Sequence, residues 1–589
     1  MSCINRFLPA LLLLFTPLLA FSKEDSPGLA TRIDDSLKGV SDTAAGFVFG
    51  GPTIMEGVTL PIILVILGST AVFLTVYFKF INLRGFGVAF RTVRGKYTPK
   101  DAPGQITHFQ ALSAALSATV GLGNIAGVAV AVGIGGPGAT FWMIIMGLCG
   151  MTTKFAECTL GVKYRRIQED GTVRGGAMYY LRDGFKDIGM GTFGGILAIF
   201  FAIFVLGGAF GAGNMFQANQ AFSQFHGQFM GDMPVDTSKL IFGCALAGIV
   251  AAVILGGIVR IAHVTAFLVP FMCGAYVLAA LFIIFTNIGE VGAAFGVIFS
   301  SAFSTSAVTG GLIGVLIQGI KRAAFSNEAG LGSAPIAHAA VKTDKPASEG
   351  FVALLEPFVD TVVVCTMTAL VIVITGTWQI SAEVSDESGV SLVAEPGSSE
   401  VVKQLDAGQY LHVKRDKDFA RPATGGGEPE VVNYSEVIGL VSADLKGSAE
   451  VTGWVESSAI ADRKGVPMTS LAFGSKISWF PKILTVAVVL FAFSTMISWS
   501  YYGEQGIIYL FSRLGDNVKI PVIIYKVIFC LLVIVGSSAS LSSVINLSDA
   551  MIFAMVAPNL IGLYFLLPVI KREANIYLEH VKKVDKGES

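Results

Sequence analysis

Residues 117 to 127 read Ser117-Ala-Thr-Val-Gly-Leu-Gly-Asn-Ile-Ala-Gly127, and they interrupt an apolar stretch over 106–135 that is long enough to cross a bilayer. In hydrocarbon each backbone N–H and C=O needs an internal partner, so unwound chain persists there only where it lines a cavity or binds something. A second run, Ser300-Ser-Ala-Phe-Ser-Thr-Ser-Ala-Val-Thr-Gly-Gly311, interrupts the stretch over 290–320 in the same way. Close helix packing through small residues explains either run singly. Two such runs at matching places in two halves of a chain point instead to a transporter site. The N-terminal end of a half-helix offers free N–H groups and partial positive charge to a carboxylate, and free carbonyls nearby suit a sodium ion. The pair predicts a ligand that is anionic at one end, with a cation beside it.

The rest of the chain agrees with a membrane setting. Of 589 residues, 53% are hydrophobic and 14% charged, against about 25% charged in an ordinary soluble protein. With 68 glycines, 43 phenylalanines and a mean hydropathy of +0.68, the chain cannot make a water-soluble surface and takes the lipid bilayer as its partner. A net charge of −1 gives no footprint for nucleic acid. The seven cysteines form no C-x-x-C pair and read as small buried hydrophobes rather than a metal site or disulfide framework.

Apolar stretches long enough to cross lie at 60–78, 106–135, 139–162, 192–222, 239–257, 262–286, 290–320, 351–378, 482–503, 519–537 and 547–570, eleven in all. The connections 79–105 and 163–191 carry six Lys and Arg each, 321–350 carries four and the tail 571–589 five, whereas 136–138, 223–238, 287–289 and 538–546 carry none. The basic connections are expected in the cytoplasm, with the mature N-terminus outside and the tail inside. Residues 1–22, with Arg6 ahead of a short apolar run and Ala20 and Ser22 at the end, read as a secretory signal peptide, the alternative being an uncleaved anchor. A segment over 23–59 then lies outside, spans 1–8 occupy 60–378, and spans 9–11 occupy 476–570. Between them, 379–475 is a polar insert with fifteen Asp and Glu against eight Lys and Arg. It is expected to be a small β-rich extracytoplasmic domain open to a partner there, the alternative being a disordered acidic loop.

The chain also resembles a known family, the alanine or glycine:cation symporters, also called sodium:alanine symporters. The matching stretches are Val120-Gly-Leu-Gly-Asn-Ile-Ala-Gly-Val, Gly135-Gly-Pro-Gly-Ala-Thr-Phe-Trp-Met, Lys154-Phe-Ala-Glu-Cys-Thr-Leu-Gly, Gly175-Gly-Ala-Met-Tyr-Tyr, Lys321-Arg-Ala-Ala-Phe-Ser-Asn-Glu-Ala-Gly-Leu-Gly-Ser-Ala and Trp499-Ser-Tyr-Tyr-Gly-Glu. They extend across 60–570; the signal-like start and the 379–475 insert are not part of the family pattern. The resemblance implies an all-α polytopic protein of the leucine-transporter type. Ten core helices in two inverted five-helix repeats would be spans 2–11, preceded by one extra helix. It implies a sodium ion as coupling ion, held by the carbonyls of Ser117, Val120 and Phe491 and the hydroxyls of Ser494 and Thr495, and no organic cofactor.

In that frame the substrate, a small neutral amino acid, would rest its carboxylate against N–H groups around Gly121, Gly123 and Asn124. Ser301, Phe303 and Ser306 on the second run, with Phe216 and Gln217 on core helix 3, would close around its side chain. Among charges inside spans, Lys154 and Glu157 are expected to pair across one helical turn. Glu356 and Asp360, four apart around Pro357, either gate the inner path, take a proton, or bond to the Asn327-Glu328 loop.

The expected activity is sodium-coupled symport of alanine or glycine at the inner membrane. The rivals are proton coupling through Asp360 or Glu356, and a membrane sensor whose insert binds a ligand. An enzyme would need a motif such as H-E-x-x-H or G-x-S-x-G, and the chain has neither. Topology gives a direct test: a reporter active only outside the cytoplasm should work when fused after Gly425 and fail when fused after Lys345.

Overall fold

A capping box starts the helix that carries the first break. Thr107 Oγ1 accepts from Gln110 N at 3.2 Å, and Gln110 Oε1 accepts from Thr107 N at 3.0 Å, so two orphan donors are satisfied before His108. In the computed structural model, residues 29–55, 58–99, 101–231, 233–304, 311–379 and 465–588 are described, together with short strands between 382 and 462.

The helices are α1 (Leu29–Val48), α2 (Ile62–Tyr77), α3 (His108–Thr119), α4 (Val128–Gly135), α5 (Ala139–Lys163), α6 (Ala177–Asp187), α7 (Gly191–Phe210), α8 (Phe216–Phe229), α9 (Val235–Ile254), α10 (Gly257–Thr286), α11 (Ile288–Ala302) and α12 (Gly311–Asn327). After them come α13 (Pro346–Ala353), α14 (Thr366–Ile374), α15 (Val466–Gly474), α16 (Phe480–Leu510), α17 (Lys519–Ser538), α18 (Leu541–Ala554), α19 (Val556–Phe565) and α20 (Leu567–Lys586). π-helical turns at Gly123–Gly127, Gly211–Met215 and Phe358–Cys365 join α3 to α4, α7 to α8 and α13 to α14.

Among the described residues eight helices are long and apolar enough to cross a membrane, or nine when the pair His108–Thr119 and Gly123–Gly135, bent by 50°, is taken as one span. Sequence reading expects eleven. The difference lies at α2, whose 16 residues reach only ~24 Å at 1.5 Å per residue, and at 290–320, which is divided between α11 and α12. Hydropathy runs through the second division because α11 keeps large apolar side chains such as Phe295 and Phe299 exposed.

Helices approach closely where one of them carries glycine. A Cβ on Gly536 of α17 would stand 2.5 Å from Met215 Cα, and one on Gly161 of α5 would stand 2.7 Å from Pro335 Cβ. Such small-residue contacts are how membrane helices gain packing energy when lipid is as apolar as their side chains.

The connections at one end are tied together by polar bonds. Arg165 donates to the carbonyls of Ala339 (2.8 Å), Thr343 (2.6 Å), Pro103 (2.9 Å) and Val341, fixing 328–345 against 79–105. Asp585 of α20 pairs with Lys96 at 2.7 Å and Arg91 at 3.1 Å. Hydrogen bonding from Lys96 leads the influences that hold its carboxyl below the usual range. Three basic segments therefore share one face. In the insert, the described strands Val441–Ser442, Tyr410–Val413, Ala382–Val384 and Ile460–Asp462 form a four-stranded antiparallel sheet in that order, with Ala382 opposite both Leu411 and Asp462. Residues 1–22, read as a signal peptide, lie outside the described residues.

A second unwound segment follows α12. Glu328, Gly330 and Gly332 adopt φ of +57°, +88° and +77°, conformations that a side chain makes costly. A Cβ at Gly332 would also stand 2.8 Å from the Asn559 amide. Gly332→Ala should therefore lose roughly 1–2 kcal/mol from the left-handed backbone alone, visible as a lower unfolding temperature in detergent. Gly227→Ala, into open space on α8, should leave that temperature unchanged.

Candidate functional site

The bend between α3 and α4 is held by side chains from three other places. Gly121 N donates to Asn124 Oδ1 at 3.0 Å, and Leu122 N donates to Gln217 Oε1 at 3.3 Å. Gln217 sits just past the π-helical turn between α7 and α8, its own amide donating to Ala212 O at 2.9 Å. Asn124 Nδ2 donates to Asp360 Oδ1 at 2.6 Å and to the Asp360 carbonyl at 3.0 Å. Asp360 Oδ2 accepts from Ser326 Oγ and Thr361 Oγ1, both at 2.7 Å. Every residue in this set is buried.

On the other side of the bend stands α16. Thr495 Oγ1 donates to Ser117 O at 3.0 Å, Ser117 Oγ to Ser494 O at 2.7 Å, and Ser494 Oγ to Phe491 O at 3.0 Å. Ser117, Phe491, Ser494 and Thr495 are therefore interlocked. Val120 follows on the same bend, fully buried, with ψ of 82° ending α3. A Cβ on Gly121 would stand 2.3 Å from Thr495 Oγ1 and 3.4 Å from Gln217 Oε1, so that glycine fills the narrow gap between the two sets. A Cβ on Gly123 would stand 3.4 Å from Ser326 Cα, and Phe216 packs edge-on against Phe325 at 5.1 Å.

The described residues of the second sequence-expected run, 300–304 and 311, are not part of this arrangement. Ser301 and Ala302 abut Gly138 at the start of α5, where Trp142 Nε1 donates to Ala302 O at 3.1 Å. Phe303 packs on Phe141 and Trp142 at 5.2 and 5.7 Å and is 47% exposed. Ser306 lies outside the described residues. What meets the first bend is the far end of α12, Phe325 and Ser326, which leads through Asn327 into the unwound Glu328–Ser333. Polar residues and two glycines directly after a helix signal that break, but Lys321 and Arg322 end the apolar run early and conceal that the helix continues.

The unwound segment is anchored on both sides. Glu328 accepts from Trp499 Nε1 at 3.0 Å and from Ser333 Oγ, while Asn327 Nδ2 donates to Thr361 Oγ1 at 3.0 Å. Glu157 Oε1 accepts from Gly332 N at 3.1 Å and Asn559 Nδ2 at 2.5 Å. Glu157 thus serves the break and does not pair with Lys154 as expected; Lys154 Nζ reaches Glu356 at 2.9 Å instead. A covering pair lies one turn above Phe325, where Arg322 bonds Asp549 with Lys321 at 2.8 Å from the same carboxylate.

From Glu356 a buried polar chain continues. His338 Nε2 stands 3.5 Å from Glu356 and its Nδ1 2.6 Å from Glu349, which also bonds His108. Burial disfavours the His338 imidazolium, but the hydrogen bond to Glu349 and the charges of Glu349 and Glu356 outweigh it and lift the group to about 9. Histidines that are scattered in sequence, His108 and His338, are brought to one carboxylate by the fold.

Comparison with known proteins gives consistent matches. The sodium:alanine symporter family matches residues 51–407 and 448–589. The sodium/alanine symporter AgcS of Methanococcus maripaludis is 38% identical over 520 residues, 88% of this chain and 94% of that protein. The amino-acid carrier protein AlsT of Bacillus subtilis is 29% identical over 525 residues, 89% of this chain and 90% of that one. A solved structure, MhsT in complex with L-phenylalanine, aligns at 14% identity over 80% of this chain and 99% of that chain, with a TM-score of 0.44.

A histidine lifted from 6.5 to about 9 stabilises the fold while protonated. Its contribution is complete below about pH 6.5 and is lost as pH rises through 9. Unfolding temperature in detergent should fall between those values in the unmodified protein and vary less with pH in His338→Gln.

Proposed function

The chain belongs to the sodium:alanine symporter family, so it is a multi-pass, cation-coupled amino-acid transporter and not an enzyme, and we propose that it carries alanine or glycine into the cell together with sodium. The sodium would lie where α16 crosses the first bend, among the carbonyls of Ser117, Val120 and Phe491 and the hydroxyls of Ser494 and Thr495. The observation that carries this reading is the reciprocal pair of bonds between the bend and α16, Thr495 Oγ1 on Ser117 O and Ser117 Oγ on Ser494 O. Hydroxyl and carbonyl oxygens with no carboxylate hold a monovalent ion weakly enough to release it.

The substrate carboxylate would take the N–H groups of Gly121 and Leu122. Those groups now donate to Asn124 and Gln217, two amide oxygens in the positions that carboxylate oxygens would occupy. Gly123, Phe216 and the turn from Phe325 to Asn327 would bound the side chain. Such walls would admit a methyl group and refuse a bulky residue; one extra methylene costs only ~1–3 kcal/mol, so discrimination between alanine and its nearest homologues would be modest. Inverted five-helix repeats would then rock about the two bends, with Arg322 and Asp549 covering the site from one side. The basic face of 79–105, 163–191 and α20 would be cytoplasmic, in an inner membrane.

Proton coupling remains a second reading because Asp360 bonds directly to Asn124 of the bend. Counterflow of labelled alanine in proteoliposomes separates the two. Sodium coupling requires exchange that depends on sodium at fixed pH and is indifferent to an imposed pH gradient; the reverse pattern would move the coupling to Asp360. Thr495→Ala removes one oxygen from a charge, a loss of about 1.5–3 kcal/mol. Apparent sodium affinity should fall about tenfold or more, with alanine affinity following by linkage. Unchanged sodium dependence in the Ser494→Ala, Thr495→Ala double variant would overturn the assignment. Gly121→Val, driven into Thr495 and Gln217, should abolish uptake.

A further inference from the structure

On the basic face, away from the two bends, a cavity of about 470 Å³ is lined by Arg166, Arg174, Tyr179, Arg182 and Tyr509. It is built where spans end. Arg166 and Arg174 come from the short hairpin that follows α5, Tyr179 and Arg182 from α6, and Tyr509 from the last turn of α16. Among the described residues no Asp or Glu lines it. We propose that this pocket binds the phosphate of an anionic lipid headgroup.

The hairpin register sets the charge. Strands Arg166–Ile167 and Val173–Arg174 pair antiparallel with Arg166 directly opposite Arg174, and like charges in that relation destabilise a strand pair. One neighbouring carboxylate, Asp183, relieves two of the three arginines: it lies 3.1 Å from Arg166 and 2.9 Å from Arg182. Arg174 makes no ion pair among the described residues, and its Nε is buried with no hydrogen-bond partner. A buried guanidinium nitrogen left unpaired costs free energy that an anion in the cavity would recover. Arg182 is held between the faces of Tyr179 and Tyr509, 5.4 and 5.3 Å from their ring centres.

The chemistry selects phosphate. Guanidinium forks match two oxygens of one phosphate group, and the cavity presents the fork of Arg174 beside two further guanidinium groups that share the single Asp183 carboxylate, with two tyrosines. The location selects a lipid as its source. The pocket opens at the level where α5 ends, α7 begins and α16 ends, and exposed Ile167, Ile188, Met190 and Phe193 flank it in sequence. Headgroup phosphates lie at that depth beside acyl chains, and basic pockets at span ends are suited to hold them.

The test uses the full-length protein in detergent and does not depend on what is transported. Native mass spectrometry would compare retention of phosphatidylglycerol and phosphatidylcholine, and thermal unfolding would compare phosphatidylglycerol with inorganic phosphate at matched ionic strength. The unmodified protein should prefer phosphatidylglycerol about tenfold in apparent affinity, as expected for charge-assisted bonds. Arg174→Gln should remove most of that preference, while Lys582→Gln, the same charge change on α20, should keep it. Arg174→Lys retains the charge without the fork and should show an intermediate preference, which keeps the test decisive if Arg174→Gln does not fold. Equal retention of the two lipids, or an unaltered preference in both Arg174 variants, would overturn the proposal. Stabilisation by inorganic phosphate equal to that by the lipid would overturn the lipid assignment and give the pocket to a soluble phosphate ester.

Discussion

One carboxylate holds both unwound segments. Asp360 accepts from Asn124, within the bend of the first broken helix, and from Ser326, at the last turn before the second. Thr361 supplies a third donor and passes the link on to Asn327. Within the hydrophobic layer neither segment can leave its backbone to water, so each is sustained by side chains that replace the missing helical bonds. The placement of α3, α4, α8, α12 and α16 around the site follows from where those replacements come from.

The same rule explains the second segment. Glu157, Glu328 and Asn559 would be costly to bury in lipid, yet each is bonded to the backbone or side chains of the unwound 328–333. Asn559 Nδ2 donates to Glu157 and to Gly330 O at 2.8 Å, and Tyr180 donates to Asn559 Oδ1. Polar groups on α5, α6 and α19 thus act as a socket for a piece of chain that keeps few helical bonds of its own. The glycines there are dictated by positive φ and by close neighbours, Leu67 at Gly330 and Asn559 at Gly332, which leave no space for a Cβ.

The buried chain Lys154, Glu356, His338, Glu349 and His108 lies beneath the site. A buried ion pair is weak evidence of net stability, because desolvation of both partners opposes their attraction. Its consequence here is geometric: Lys154 and Glu356 join α5 to the helix carrying Asp360, and His338 joins the connection after the second segment to that same helix. Breaking one member would leave a buried charge without its partner. The chain therefore ties the position of Asp360 to the loops of the basic face, which Arg165 binds together by four carbonyls.

Composition and hydropathy by themselves determine that this chain spans a membrane several times. The Ser117–Gly127 run determines one break and, with it, Gly121, Asn124 and Ser117, because glycines and polar residues inside an apolar helix have few other reasons to be there. Which residues meet that break was decided only in three dimensions. Sequence reading expects Ser301 and Phe303; the fold supplies Ser326, Asn327 and Asp360, since a further unwinding begins at Glu328, beyond the charged Lys321 and Arg322 that end the apolar stretch in the sequence. Lys154 and Glu157 are one turn apart and read as a pair, yet each is claimed by a group more than 150 residues away in the chain. Local pattern records which side chains avoid lipid. The partner that each polar group takes depends on which helices are brought side by side, and that is set by packing between segments distant in sequence.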